Sequence, residues 1–307
     1  AQGHEVLGVD CFVDFYPRAI KEANLQRLAQ EPRFRFVEAD LSTVEQGQLE
    51  DWMREYPYVS HQAAQAGVRT SWGRQFEDYT RFNVLATQRL LEAARVVGVK
   101  RFVYASSSSV YGQADHFPLH EEGPTLPVSP YGVTKLAAEH LARLYYINYG
   151  VPTVSLRYFT VYGPRQRPEM AFHRLIRAAL TGEAFPLYGD GSQSRNFTYI
   201  KDVVAANIVA LFKEVDKPAP FVGEPINIGG GSRATLNEVI AIVEELTGKR
   251  VKIARLETQK GDVDRTEADL TRASEWLGYA PGTSLREGLG AQIAWLKGLL
   301  VVEEGVR

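Results

Sequence analysis

The sequence predicts an α/β fold: a doubly wound, mostly parallel sheet carrying a smaller C-terminal region. Three observations lead there. Short β-branched apolar runs alternate with helical stretches up to about Phe159, as successive βαβ units require. The length of 307 residues suits one large α/β unit or two closely joined domains. After Phe159 Pro and Gly become frequent, in "YGPRQRP", "YGDGSQ" and "INIGGGS", and the elements shorten. That second region is expected on the strand ends, where such sheets bind ligands.

Each element has its own signal. "HEVLGVD" (4–10) is a β-branched run ending in an acid, and reads as a buried strand. "PRAIKEANLQRLAQ" (17–30) has helical spacing, with Pro17 suited to a first helical position. "FRFVEADL" (34–41) is the second strand, "EQGQLEDWMREY" (45–56) a helix and "YVSHQAA" (58–64) the third strand. A long amphipathic helix is expected over 76–97, stopped by Gly98. "RFVYASS" (101–107) is the fourth strand, 129–149 a helix ended by Gly150, and "VPTVSLRYF" (151–159) the fifth strand.

Composition narrows the function. Apolar residues make up 45% and charged residues 23%, with a net charge of −2. No Lys/Arg cluster offers a nucleic-acid surface. No apolar run reaches the roughly 20 residues of a membrane span. The single cysteine, Cys11, allows no internal disulfide and fits a cytoplasmic location. No metal site is expected.

The chemistry concentrates in two stretches. In "SPYGVTK" (129–135), Ser129 can cap a helix and Pro130 can open it. Tyr131 then lies in the first turn, where the helix dipole favours negative charge, and Lys135 stands one turn on. An ammonium there draws the phenol toward the phenolate, as a general base needs. Alone, the spacing reads rather as a solvated i,i+4 surface pair. But "YASSSSVYG" puts hydroxyls at the end of the fourth strand, about two dozen residues upstream. A strand, a run of serines and a capped Tyr–Lys helix form a much rarer combination.

With these motifs the chain resembles the extended short-chain dehydrogenase/reductases, specifically the nucleotide-sugar epimerases, over nearly its whole length. The resemblance implies a Rossmann sheet, bound NAD and a UDP-sugar substrate. It implies Ser107, Tyr131 and Lys135 as the catalytic set, with Lys135 also on the nicotinamide ribose. Asp10 would pair with the adenosine ribose hydroxyls and favour NAD over NADP. Asp40 and Leu41 would flank the adenine. Ala63, Ala64 and Gln65 would pass under the pyrophosphate and nicotinamide ribose, with Asn83 and Phe159 completing the pocket. Residues 1–160, joined by about 197–229, would form the NAD domain, and 161–307 mainly the substrate domain. The helices at 76–97 and 129–149 carry extra apolar stripes, which implies a homodimer of four-helix type.

One part of the pattern is missing. The family's glycine-rich loop should precede His4 with a first strand and helix, about 25–30 residues of a βα unit, whose N–H groups would hold the pyrophosphate. The expectation is therefore a longer natural chain. A polypeptide starting at Ala1 should fold and bind NAD poorly, its sheet lacking a central strand.

The resemblance also narrows the reaction. Related dehydratases place Asp-Glu after the catalytic hydroxyl, and UDP-glucuronate decarboxylases a glutamate in the same loop. Here Ser108 and Ser109 stand there, so 4-epimerisation remains. "RYFTVYGPRQRPEMAF" (157–172) resembles UDP-glucuronate 4-epimerases, whereas glucose 4-epimerases usually carry Asn where Thr160 stands. Ser108, Ser109 and Thr160 could hold a C6 carboxylate by neutral donors. Arg195, supported by Arg167 and Arg174, would meet the diphosphate. "FPLYG", with Pro186 and Tyr188, would run along the uracil. Arg265 would replace the arginine that glucose epimerases place at Gln259. The alternatives are a UDP-glucose 4-epimerase and a non-catalytic nucleotide-sensing scaffold. The scaffold predicts loss of Ser107, Tyr131 or Lys135, and all three are intact.

Overall fold

The computed structural model describes residues 3–214, 220–257 and 263–305. The chain divides into two units, each with its own core. Unit 1 holds Ala1–Val110, Pro127–Arg157 and Asn207–Ile226, and unit 2 holds Tyr111–Leu126, Tyr158–Ala206 and Asn227–Arg307.

Unit 1 opens with β1 (Val6–Asp10), α1 (Arg18–Gln26), β2 (Phe34–Glu38), α2 (Gln46–Glu55) and β3 (Tyr58–His61). The expected first helix begins one residue late. Pro17, at φ −49° and ψ 127°, is its cap and not its first residue. β1 and β2 pair in parallel, with Asp10 opposite Glu38, so Asp10 stands at the carboxyl edge as expected.

The expected single helix over 76–97 is in fact three pieces: α3 (Phe76–Tyr79), a π-helical turn at Thr80–Leu85, and α4 (Ala86–Val97). π turns inside helices recur at functional sites, and this one contains Asn83. Gly98 ends α4 at φ 74°. Next come β4 (Arg101–Ser107), α5 (Pro130–Tyr149) and β5 (Thr153–Tyr158). Six of the seven β4 residues are buried, as a strand covered on both faces should be. Leu49, Met53, Leu90, Leu91, Phe102, Tyr104, Ala138 and Ala142 form the unit 1 core under α2, α4 and α5.

The parallel sheet is not one ladder. β1 pairs with β2, while β3, β4, β5 and β9 (Pro225–Ile228) form a separate sheet in that order. Among the described residues β1 and β3 are joined by no ladder.

Unit 2 has β6 (Val161–Tyr162), α6 (Ala171–Thr181), β7 (Ala184–Tyr188), β8 (Ser194–Tyr199), β10 (Ser232–Thr235), α8 (Leu236–Thr247), β11 (Lys252–Leu256) and α9 (Leu285–Gly305). α7 (Ile200–Phe212) runs from unit 2 into unit 1. β10, β8 and β6 form one small sheet, and β11 and β7 another. The core beneath them includes Phe172, Leu175, Ile176, Leu187, Val239, Val243, Leu289 and Leu296. Among the described residues no helix is long and apolar enough to cross a membrane.

Candidate active site

The start of α5 is built as the sequence implies. Ser129, at φ −144°, accepts the Gly132 N–H at 3.1 Å, and Pro130 occupies the first turn. Replacing Ser129 by Ala leaves that N–H without its cap, and should cost about 0.5–2 kcal/mol in thermal or denaturant unfolding. An unchanged midpoint would mean the cap contributes nothing.

Lys135 is not a surface residue. It is 4% exposed, and its Nζ donates to the Ala105 carbonyl at 2.8 Å and lies 5.1 Å from the centre of the Tyr104 ring. Burial lowers its pKa to about 7, because the charged form loses its hydration. The solvated-pair alternative for "SPYGVTK" is thus excluded. An ammonium has three donors, and Ala105 takes one.

Ser107 closes β4 and is 8% exposed. Its Oγ accepts the Ser109 N–H at 3.2 Å, and residues Ser108–Val110 form a 3₁₀ turn. That turn packs against α5. A Cβ built on Gly132 would lie 2.5 Å from the Ser109 carbonyl oxygen and 2.9 Å from the Pro127 Cβ. The structure therefore brings the serine turn and the tyrosine helix together over a glycine that sequence reasoning missed. Tyr131 packs edge-on against Tyr79, with ring centres 6.2 Å apart. The Tyr79 hydroxyl is 2.8 Å from the Gly67 carbonyl and 2.7 Å from Thr70 Oγ1.

Asn83 draws the 63–67 loop to α5. Its Oδ1 accepts the Gln65 N–H at 2.7 Å, and its Nδ2 is 3.0 Å from both the Gln65 carbonyl and Thr134 Oγ1. Asn83 therefore positions the Ala63–Ala64–Gln65 loop. The π turn that aims it inward has no sequence signal. His61 lies behind, bonded to Thr87 Oγ1 at 2.8 Å. Burial, with the nearby Lys135 charge, lowers its pKa to about 3, so it stays neutral.

On the β1–β2 edge, Asp10 Oδ1 accepts the Phe12 N–H at 2.7 Å. Asp40 Oδ1 accepts from Ser42 N–H at 2.8 Å, and Oδ2 pairs with Arg81. The Leu41 carbonyl accepts from Arg89 Nε at 3.2 Å.

The remaining site residues belong to unit 2. Phe159 is fully buried, its N–H bonded to the Ile228 carbonyl at 3.0 Å, and the Thr160 carbonyl accepts the Thr198 N–H at 2.9 Å. Arg167 pairs with Glu169 at 3.2 Å. Arg174 lies on α6, and Pro186 and Tyr188 on β7. Arg195 donates to the carbonyls of Ser194 and Asp264, each at 3.0 Å, and of Val263. Arg265 pairs with Glu267 at 2.5 Å and covers the Phe117 ring at 4.4 Å. Gln259 lies outside the described residues.

A parallel α/β unit with this Ser, Tyr and Lys set is that of an extended short-chain dehydrogenase/reductase. The chain belongs to the family described as GDP-mannose 4,6 dehydratase, which it matches over residues 1–291. It is 42% identical over 296 residues to "Uncharacterized UDP-glucose epimerase YtcB" of Bacillus subtilis (strain 168), covering 96% of this chain and 91% of that one. It is 38% identical over 301 residues to a UDP-glucuronate 4-epimerase of Thermodesulfobacterium geofontis (strain OPF15), covering 96% and 90%. Among solved structures, UDP-glucuronic acid 4-epimerase from Bacillus cereus, in complex with UDP-glucuronic acid and NAD, matches with a TM-score of 0.91 and 41% identity. That alignment covers 96% of this chain and 91% of the other.

Proposed function

We propose that the protein is an NAD-dependent UDP-sugar 4-epimerase converting UDP-glucuronate to UDP-galacturonate through a 4-keto intermediate. One observation carries the choice of reaction. The turn after Ser107 holds Ser108 and Ser109, with no carboxylate there to expel water or drive decarboxylation, whatever the family's descriptive name.

Unit 1 fits the cofactor. The Asp10 carboxylate at the strand edge suits ribose hydroxyls and repels a 2′-phosphate, and the spare donors of Lys135 suit the nicotinamide ribose. Asp40, Leu41, Ala63, Ala64 and Gln65 are its proposed neighbours in unit 1, with Asn83 holding the loop, and Phe159 of unit 2 is a further proposed neighbour. Bound there, NAD supplies the oxidant for C4 and then the reductant for the ketone, and so is regenerated. Tyr131 takes the C4 hydroxyl proton and later returns it. Ser107 holds the reacting oxygen by a hydrogen bond. The buried ammonium of Lys135 stabilises Tyr131 as the phenolate that accepts this proton. The UDP group stays fixed while the keto sugar turns its other face. Arg195, Arg167, Arg174 and Arg265 are the proposed diphosphate contacts, and Pro186 and Tyr188 the uracil contacts.

The sugar is read from Ser108, Ser109 and Thr160 as neutral donors to its carboxylate. Thr160→Val should lower kcat/KM for UDP-glucuronate about tenfold to a hundredfold, the range for a lost charge-assisted hydrogen bond. UDP-glucose, with a neutral C6 hydroxyl, should lose less. Equal losses would remove Thr160 from carboxylate binding. The second reading, UDP-glucose 4-epimerisation, is favoured by the name of the Bacillus subtilis relative.

The reading includes a cytoplasmic homodimer. Val133, Leu144, Ile147 and Tyr149 on α5 and Val96 on α4 are exposed apolar side chains, as a helix-paired interface requires. Light scattering at micromolar concentration should give twice the chain mass, and a monomer would contradict the dimer.

A further inference from the structure

Beneath the reacting residues lies a second polar cluster. Glu139, one turn after Lys135 on α5, is 5% exposed, and Arg157 at the end of β5 is 3% exposed. The two form a bidentate pair, Arg157 Nη2 to Glu139 Oε1 at 2.6 Å and Nε to Oε2 at 3.0 Å. The pairing neutralises two charges that burial alone would make costly. Glu139 Oε2 also accepts the Ser106 hydroxyl at 2.5 Å. A charge-assisted hydrogen bond of that length is among the stronger kinds.

The location gives the cluster its meaning. Lys135 bonds the carbonyl of Ala105 and Glu139 bonds the side chain of Ser106. Ser106 turns toward α5, where Glu139 accepts its hydroxyl, immediately before Ser107. Two side chains one helical turn apart thus grip two consecutive strand residues. This sets the height of α5 against the end of β4, and so the position of Ser107 relative to Tyr131. The Tyr104 hydroxyl, 3.4 Å from the Lys135 carbonyl, adds a longer and weaker link between the same two elements, and the apolar packing of Ala138 is non-directional.

We propose that Ser106, held by the Glu139–Arg157 pair, is a positioning residue that fixes the Ser107 hydroxyl for the reaction. The role rests on the epimerase reading above for its kinetic consequence, though not for its geometry. Placement errors of about an ångström can cost about a hundredfold in rate. Losing the Ser106 anchor while Lys135 keeps its own should cost less, about tenfold.

The test compares Ser106→Ala, Ser106→Thr and wild-type holoenzyme, and it leaves the ion pair intact so that the variants fold. Ser106→Ala should lower kcat for UDP-glucuronate about tenfold at unchanged KM and unchanged NAD content, and Ser106→Thr, which keeps the hydroxyl, should restore it. Amide exchange at Ser109, whose N–H is held by Ser107 Oγ, should rise about tenfold in Ser106→Ala alone. Unchanged kcat, or a loss that Thr does not restore, would overturn the proposal. If the wild type turns over no UDP-sugar, the epimerase reading fails, and the exchange rate alone decides: faster exchange upholds the anchor, and unchanged exchange rejects it.

Discussion

Gly132→Ala is expected to reduce turnover about a hundredfold while the protein stays folded. The added methyl would stand 2.5 Å from the Ser109 carbonyl and 2.9 Å from Pro127 Cβ. Neither neighbour is the far end of a flexible side chain. One atom is backbone, and the other belongs to a proline ring just before the helix. Relief must come from moving the α5 start away from the serine turn. The proposed reacting groups are Tyr131 on α5 and Ser107 just before the turn, so the shift falls on the proposed catalytic geometry, where about an ångström costs about a hundredfold. Helix propensity pulls the other way, since Ala is better than Gly by about 1 kcal/mol, so unfolding should not account for the loss. Steady-state kinetics with circular dichroism separates the two. Wild-type turnover in Gly132→Ala would show that the contact is slack.

Tyr131→Phe is expected to remove at least a hundredfold of activity, the lower range for positioned general acid–base catalysis of about 10²–10⁴. Only the hydroxyl is lost. The ring keeps its edge contact with Tyr79, and Lys135 keeps its bond to Ala105. Fold and NAD content should therefore match the wild type. Near-normal turnover would remove Tyr131 from the base role.

The legible parts of this molecule were those written in adjacent residues. The serine–proline start of α5 is one: Ser129 and Pro130 adopt the cap that their order implies. β4 is another, because an apolar run bounded by polar residues has few alternatives to a buried strand, and it spans residues 101–107 as read. Hidden features depend on partners far along the chain. Glu139 sits four residues after Lys135, and nothing in the adjacent sequence marks it as buried. Its burial follows from Arg157, 18 residues away on the next strand. Gly132 looks like an ordinary helix residue until the Ser109 carbonyl is placed beside it. The π turn around Asn83 arises inside a continuous helical pattern, because periodicity does not report a single wide turn.

The proposed reaction is a reversible inversion at C4 of a UDP-hexuronate. The most direct measurement is proton NMR of the holoprotein incubated in parallel with UDP-glucuronate, UDP-glucose and UDP-xylose. UDP-glucuronate should convert to UDP-galacturonate, approached from either side, with carbon retained and much slower change in the other two. Conversion of UDP-glucose alone, or release of carbon dioxide with formation of a UDP-pentose, would contradict it.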